Sequence, residues 1–397
     1  MNHPAAAFAI LITSLVAIGP LSTDFYLPAL PSIAAALGTD SAGAQLTLSA
    51  YLIGFGFGQL VLGPVSDRYG RRPVLLVSML VYVGASAACM LAPSIGGLVG
   101  ARFVQALAAC AGPVLGRAIV RDLYGPQEAA RMLSYMSAAM ALAPLLAPLF
   151  GGWLTVAFGW RSTFAFLTAF SAIQVIFVWR MLTETNRHLD PLALQPRNII
   201  ANYRALLADR LYRGVVMVNG FGYAGLFAFI SGAAFVFIDH YGFSPQGMGL
   251  AFGCNVTGFM LGTVLSGRYS RRLGPGRLLR HGVLLGAVSG VALMLPPLFG
   301  IDHPLALMVP MWFITCSTGL SLPNATAIAL SAYPHMAGAA ASLMGFLQMG
   351  LGAVLGVAVG HGVGGSPLPM MIAVAGSMWA SALAWRLWVR GREMVTE

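Results

Sequence analysis

The stretch Gly63-Pro64-Val65-Ser66-Asp67-Arg68-Tyr69-Gly70-Arg71-Arg72-Pro73 sets one acid and three arginines between two apolar runs, 44–63 and 74–92. A membrane helix needs about 20 apolar residues, and both runs meet that length. The charged knot therefore reads as a tight loop joining two membrane helices. Two hundred residues further on, Ser266-Gly267-Arg268-Tyr269-Ser270-Arg271-Arg272 repeats the pattern S-x-R-Y-x-R-R after another apolar run, 247–267. The displacement is about half of the 397-residue chain. A repeat at that spacing predicts two related halves, a recurrent plan in secondary transporters.

Outward from these loops the same alternation continues. Apolar runs occupy 5–28, 44–63, 74–92, 96–119, 133–156, 162–182, 213–238, 247–267, 281–300, 304–326, 338–361 and 367–389. The chain is 58% hydrophobic and 9% charged, where soluble domains carry about a quarter charged residues. That composition excludes an ordinary cytosolic enzyme, a disordered tail and a nucleic-acid-binding domain. The net charge of +10 suggests no nucleic acid, because the arginines punctuate apolar runs and form no single face. The expectation is an all-α membrane protein with twelve membrane helices. The N-terminal stretch has no basic segment before its apolar run and reads as a retained first helix. Cys89, Cys110, Cys254 and Cys316 all fall within apolar runs. They read as small core residues, with neither disulfide nor metal spacing.

All 22 basic residues are arginines, and their placement orients the chain. With a cytoplasmic N-terminus, the inside loops hold Arg68, Arg71, Arg72, Arg117, Arg121, Arg131, Arg180, Arg187, Arg197, Arg204, Arg210, Arg213, Arg268, Arg271, Arg272, Arg277, Arg280, Arg386, Arg390 and Arg392. Arg161 alone lies outside, and Arg102 alone within the membrane. Both termini are thus expected in the cytoplasm. Residues 183–212 form the longest non-apolar stretch. In it Ile199, Ile200, Tyr203, Leu206 and Leu207 recur at helical spacing, which predicts an amphipathic helix on the cytoplasmic leaflet. The expected units are a six-helix bundle at 1–182, a linker at 183–212 and a second bundle at 213–397.

The loop at 63–73 resembles the signature G-x-x-x-D-R-x-G-R-R of the major facilitator superfamily, between its second and third helices. Further residues resemble the drug:proton antiporter branch, the Bcr/CflA group. They are Leu21-Ser22-Thr23-Asp24-Phe25-Tyr26-Leu27-Pro28-Ala29-Leu30-Pro31 in the first helix, and Arg102-Phe103-Val104-Gln105 and Gly116-Arg117-Ala118-Ile119-Val120-Arg121-Asp122 in the fourth. The fifth-helix antiporter motif, G-x-x-x-G-P-x-x-G-G, reads Ala143-Pro144-Leu145-Leu146-Ala147-Pro148-Leu149-Phe150-Gly151-Gly152. Alanine replaces its two early glycines. Small residues are kept, so Pro144, Pro148, Gly151 and Gly152 are expected at a close helix contact. The second-half loop departs from the signature at Gly267, where the first has Asp67.

The resemblance implies a proton-driven transporter without a cofactor, acting as a monomer in the bacterial inner membrane. Its partners are a small-molecule substrate, protons and the bilayer. Asp24 lies in an apolar helix, where a carboxylate costs about 2.5–3.5 kcal/mol on insertion scales and usually serves a function. It is the candidate proton carrier, against a structural role bonded to Ser22 or Thr23. Arg102 is six residues into the fourth run, about 9 Å deep, near the depth of Asp24; in the family it takes part in proton coupling. The family reads Asp67, Arg68, Arg71 and Arg72 as a cytoplasmic gate, and Arg117 and Asp122 stand beside them. An i,i+5 spacing does not pair Arg117 with Asp122 on one helix face, so their partners lie elsewhere. Tyr26, Tyr51, Gln59, Gln105, Asn219, Tyr223, Asn255, Asn324 and Gln348 are the polar candidates for a substrate cavity, each equally suited to a helix–helix contact. Pro20, Pro113, Pro144, Pro148, Pro310 and Pro323 predict kinks within spans.

The expected activity is proton-coupled export of small amphipathic compounds, such as chloramphenicol- or bicyclomycin-like antibiotics, by alternating access. The alternative is a proton-coupled importer of a nutrient, which the same fold supports. An intramembrane enzyme would need a nucleophile with a base or a metal cluster at one depth. The sequence holds no HExxH, GxSxG or Walker motif.

Overall fold

The computed structural model describes residues 5–186, 189–191, 193–333, 336–362 and 366–391. Arg187 and Arg392 lie outside the described residues, as do the side chains of Arg131 and Arg271. Every regular element among the described residues is helical. We number the membrane helices α1 (Ala7–Ala36), α2 (Ser41–Tyr69), α3 (Arg71–Leu91), α4 (Ile95–Leu123), α5 (Pro126–Phe158), α6 (Arg161–Met181), α7 (Arg210–His240), α8 (Pro245–Ser270), α9 (Arg272–Leu298), α10 (Pro304–Ser331), α11 (Ala337–Gly362) and α12 (Leu368–Val389). Eleven are long and apolar enough to cross a membrane. The twelfth, α5, runs for 33 residues, with its described apolar part at Leu142–Phe158. The twelve runs of the sequence each correspond to one of these helices.

Short polar residues start α2, α4 and α8, and glycines end α2 and α5. Asp40 accepts from the Gly43 N–H at 2.8 Å, and Ser94 and Ser244 do the same for Gly97 and Gly247. Each satisfies a backbone donor that the first turn leaves unpaired. α2 stops at Gly70, whose φ of 96° is a conformation that residues with a Cβ rarely adopt. The second half turns differently. Its backbone stays helical from Pro245 to Leu298 except at Gly274, with φ 74°. The S-x-R-Y-x-R-R repeat therefore aligns letters but not turns. Arg71 opens α3, whereas Arg272 precedes the break. α1 is also broken: the helix stops at Asp24 and resumes at Leu30, across Pro28.

The two six-helix halves meet along two pairs of helices. α2 and α11 run antiparallel. Ser41 and Ser49 donate to the Gly360 and Ala353 carbonyls at 3.3 and 3.2 Å, and Gly345 lies on the Gln59 amide. α5 and α8 form the second pair. A Cβ on Gly249 would stand 2.9 Å from the Pro148 carbonyl, and one on Gly152 2.8 Å from that of Pro245. Without a hydrophobic drive between helices in lipid, such small-residue contacts hold the halves together. One apolar cluster joins both halves at the end away from the basic loops. It includes Tyr26, Leu30, Phe164, Phe229, Phe252 and Met370. Separate clusters fill each half nearer the basic end.

The linker helix, Pro196–Ala208, is amphipathic as expected. Leu206 is fully buried among Tyr212, Val215 and Leu343 of the second half, with Tyr203 packed beside it. Ile200 and Leu207 remain exposed. The helix thus turns part of its apolar face to protein, because Leu206 finds a closer partner there than lipid offers. Cys254 is exposed, whereas Cys89, Cys110 and Cys316 are buried, so the reading of all four as core residues fails at Cys254.

Candidate functional site

A cavity of about 970 Å³ opens between the halves at the end that carries the Asp67–Arg72 loop. Its walls come from α2, α4, α5, α10, α11 and the linker. Phe55, Val114, Met140, Met344 and Met349 give apolar surface; Gln59, Thr326, Ser342 and Gln348 give neutral polar groups; Asn202 and Tyr203 of the linker close one flank. The opposite end is filled by the apolar cluster shared by the two halves. The molecule is thus open at its basic end and sealed at the other.

Of the expected cavity residues, Gln59 and Gln348 line this space. Tyr26, Tyr51 and Gln105 gather instead around Arg102, which is 0% exposed. Its guanidinium lies 4.3 Å from the Tyr26 ring centre and 4.2 Å from that of Tyr51. Desolvated cation–π contacts of this kind are worth about 2 kcal/mol. Nη1 donates to Gln105 Oε1 at 2.6 Å, and Gln105 Nε2 donates to Ser86 at 2.8 Å. Arg102 Nε and Nη2 are buried without a partner among the described residues. Such a cation is costly, and two aromatic faces with one amide offset only part of that cost. Tyr26 is fixed by its hydroxyl, 3.0 Å from Thr47 Oγ1.

Asp24 is 4% exposed and lies two residues before Tyr26. No ion pair among the described residues joins it to Arg102, although Tyr26, two residues on, lies against that guanidinium. Across the interface, the ring of Tyr223 on α7 packs on Gly352 and stacks with Phe227. Asp24 does not line the cavity. Phe55, which lines the cavity, packs against Gly19 of α1, five residues before Asp24.

The charged loop forms one network within the first half. Arg71 pairs with Asp67 at 2.6 Å and with Asp122 at 3.2 Å, and also donates to Ser66. Arg117 takes no part: its Nε donates to the Pro113 carbonyl at 2.9 Å, and its side chain faces the cavity. Arg68 is exposed, 5.4 Å from the Tyr69 ring centre. Arg72 Nη2 donates to the Trp179 carbonyl at 3.1 Å.

Sequence reasoning missed Glu184. Its carboxylate accepts from the backbone N–H groups of Arg71, Arg72, Thr185 and Asn186 at 2.8–3.1 Å. Burial pushes its carboxyl up, but these four donors outweigh it and hold the group below the ordinary value of 4.5. Glu184 thereby caps α3 and ties the start of the linker to the charged loop. Asn186 and the Asp190 N–H complete the strap at the Asp67 carbonyl. The available signal was an acid standing just beyond the sixth run.

The antiporter-motif residues lie at the α5 contacts. A Cβ on Gly151 would overlap the Phe25 carbonyl; Gly152 and Pro148 meet α8 as described above. Asn219 and Asn255 are buried, each with an unpaired Oδ1, and Asn324 donates to Ser266 at 2.8 Å. No group of three or more metal-ligating residues occurs among the described residues.

The model of the Major Facilitator Superfamily matches residues 11–357. A Bacillus subtilis (strain 168) protein described as an uncharacterized MFS-type transporter, YdgK, is 36% identical over 357 residues, covering 89% of this chain and 88% of its own. The bicyclomycin resistance protein homolog of Haemophilus influenzae is 30% identical over 390 residues, 97% of each chain. The crystal structure of a D-xylose-proton symporter matches with a TM-score of 0.74 over 98% of this chain and 99% of that one, at 16% identity. That likeness establishes the fold.

Proposed function

Because the chain belongs to the major facilitator superfamily, we propose that this multi-pass inner-membrane transporter exports small amphipathic compounds in exchange for protons. The observation that carries the reading is a cavity open at the basic end, with one buried acid, Asp24 of α1, in the half that forms one of its walls. The arginine bias assigns that end to the cytoplasm, so the open cavity is the loading state. The bicyclomycin resistance homolog supports a drug-like cargo.

The cycle follows from these positions. Substrate enters the cavity while Asp24 carries no proton. The bundles 1–182 and 213–397 then rock about the linker 183–212, parting the α2–α11 and α5–α8 contacts at the sealed end. Asp24 meets external protons, takes one up, and the site releases its cargo; the bundles then rock back and Asp24 gives that proton to the cytoplasm. Arg102 lies against Tyr26, two residues beyond Asp24, so a change at Asp24 reaches it through α1. The Arg71–Asp67–Asp122 network keeps the inner ends of α2, α3 and α4 as one rigid edge. A ligand shifts such an equilibrium only through its unequal affinity for the two states.

The test uses inverted inner-membrane vesicles with an acidified interior. Addition of a chloramphenicol- or bicyclomycin-like compound dissipates the gradient in wild-type vesicles and leaves it intact in Asp24→Asn vesicles. Equal responses in both would remove Asp24 from the mechanism; uptake down the proton gradient would reverse the direction.

A further inference from the structure

The cavity wall carries three arginines, Arg71, Arg117 and Arg121, against two aspartates, Asp67 and Asp190. Arg71 is committed to Asp67 and Asp122. Arg117 is not committed. Its one hydrogen bond uses Nε, to the Pro113 carbonyl, and both Nη groups are without a partner among the described residues. Arg121 follows four positions later, on the same face of α4 and along the same wall. Like charges at i,i+4 repel, and an anion between them relieves that repulsion.

An arginine that merely anchors a helix at the headgroups sits at the loop. Arg117 is six residues inside the end of α4, about 9 Å, and faces the space between the halves. Arginines outnumber acids on this wall: Asp67, itself paired with Arg71, and Asp190 line it, and Asp24 does not. Apolar surface from Phe55, Met344 and Met349 faces the same volume.

We propose that the cavity binds amphipathic organic acids, with Arg117 as the residue that fixes the acid group. This rests on the reading of the cavity as the substrate site and names the class of cargo. A guanidinium fork matches a carboxylate with two parallel hydrogen bonds. Gln59 and Gln348 then meet neutral polar groups of the apolar body.

The test titrates the full-length protein in phosphatidylcholine nanodiscs, with empty nanodiscs as the baseline. The probes are 1-pyrenebutyrate, 1-pyrenebutanamide and 1-pyrenebutylamine, followed by energy transfer from tryptophan. Wild type binds the butyrate about tenfold more tightly than the amide and binds the amine most weakly. Arg117→Gln narrows the acid-to-amide ratio to under about threefold. Arg117→Lys, which keeps the charge but loses the fork, retains an intermediate ratio and carries the test should the glutamine variant fail to fold. An amine bound as tightly as the butyrate overturns the inference, and so does an undiminished ratio in both Arg117 variants. Phosphatidylglycerol in the nanodiscs leaves the ratio in place; its loss there would reassign the site to a lipid headgroup and overturn the inference. No saturable binding of any probe would sink the cavity as a substrate site and the export reading with it. A preference for amide or amine would sink only the acid class.

Discussion

In the first half, Ser66 and Asp67 both hold Arg71, and Arg71 in turn holds Asp122. In the second half, the matching Ser266 accepts from Asn324, and Gly267 stands where Asp67 would be, with nothing near it. Among the described side chains, which do not include that of Arg271, the same letters thus build an ion-pair network on one side and a neutral hydrogen bond on the other. The buried interior repeats the contrast. α1 and α4 bury Asp24 and Arg102, whereas the second half buries Asn219, Asn255 and Asn324. Charge costs more than amide to keep in a bilayer, and from its placement in one half we propose that this half is the one that handles protons. The neutral half shapes the cavity and supplies the surface against which the first half moves.

Four substitutions, with two at Gly267 for comparison, break or sharpen this contrast. The largest effect belongs to Arg102→Met. It removes a buried cation with two unpaired donors, so thermal stability in detergent holds or rises, while coupled transport falls about tenfold or more. A variant that transports normally would reduce Arg102 to scaffolding. Next comes Gly151→Val, which drives side-chain atoms into the Phe25 carbonyl. It lowers stability by about 1–3 kcal/mol, whereas Gly267→Ala, in open space, changes the melting temperature little. Asp67→Asn frees one partner of Arg71 but leaves Asp122 in place; a loss of about 0.5–1 kcal/mol is expected, and Gly267→Asp gives no compensating gain. The smallest effect is that of Glu184→Gln. The Glu184 carboxyl lies below its ordinary value of 4.5 when folded, so its contribution is present above that pH and fades as pH falls below it. The glutamine variant melts lower at neutral pH and loses that acid-side decline, which melting curves across pH read directly.

Much of the fold was written in the chain because lipid is a strict solvent. A helix must hide its own backbone there, so each run announces itself, and the arginines cluster at one end. The site was less legible. Gln105 lies one turn beyond Arg102, a spacing that already puts both on one face, but the tyrosines that cover the guanidinium come from α1 and α2. Gln59 and Gln348 could not be told from Tyr26 or Asn255 as cavity residues, because helix crossing decides which polar groups face the gap. Glu184 reads as one more loop acid until α3 presents its first N–H groups to it. The offset between Gly70 and Gly274 was hidden because the repeat matches side chains, not backbone angles.

The most direct test of a proton-handling half and a neutral half is substrate-driven proton current through reconstituted protein on a solid-supported membrane. Wild type, Asp24→Asn and the double variant Thr326→Ala/Gln348→Ala, at two second-half residues of the cavity wall, would be compared, with the cargo identified in the vesicle assay. The account predicts that Asp24→Asn abolishes the current, while the second-half variant keeps the proton-to-cargo ratio and changes only the cargo affinity. A current that survives Asp24→Asn, or a second-half variant that still moves cargo without protons, would contradict it.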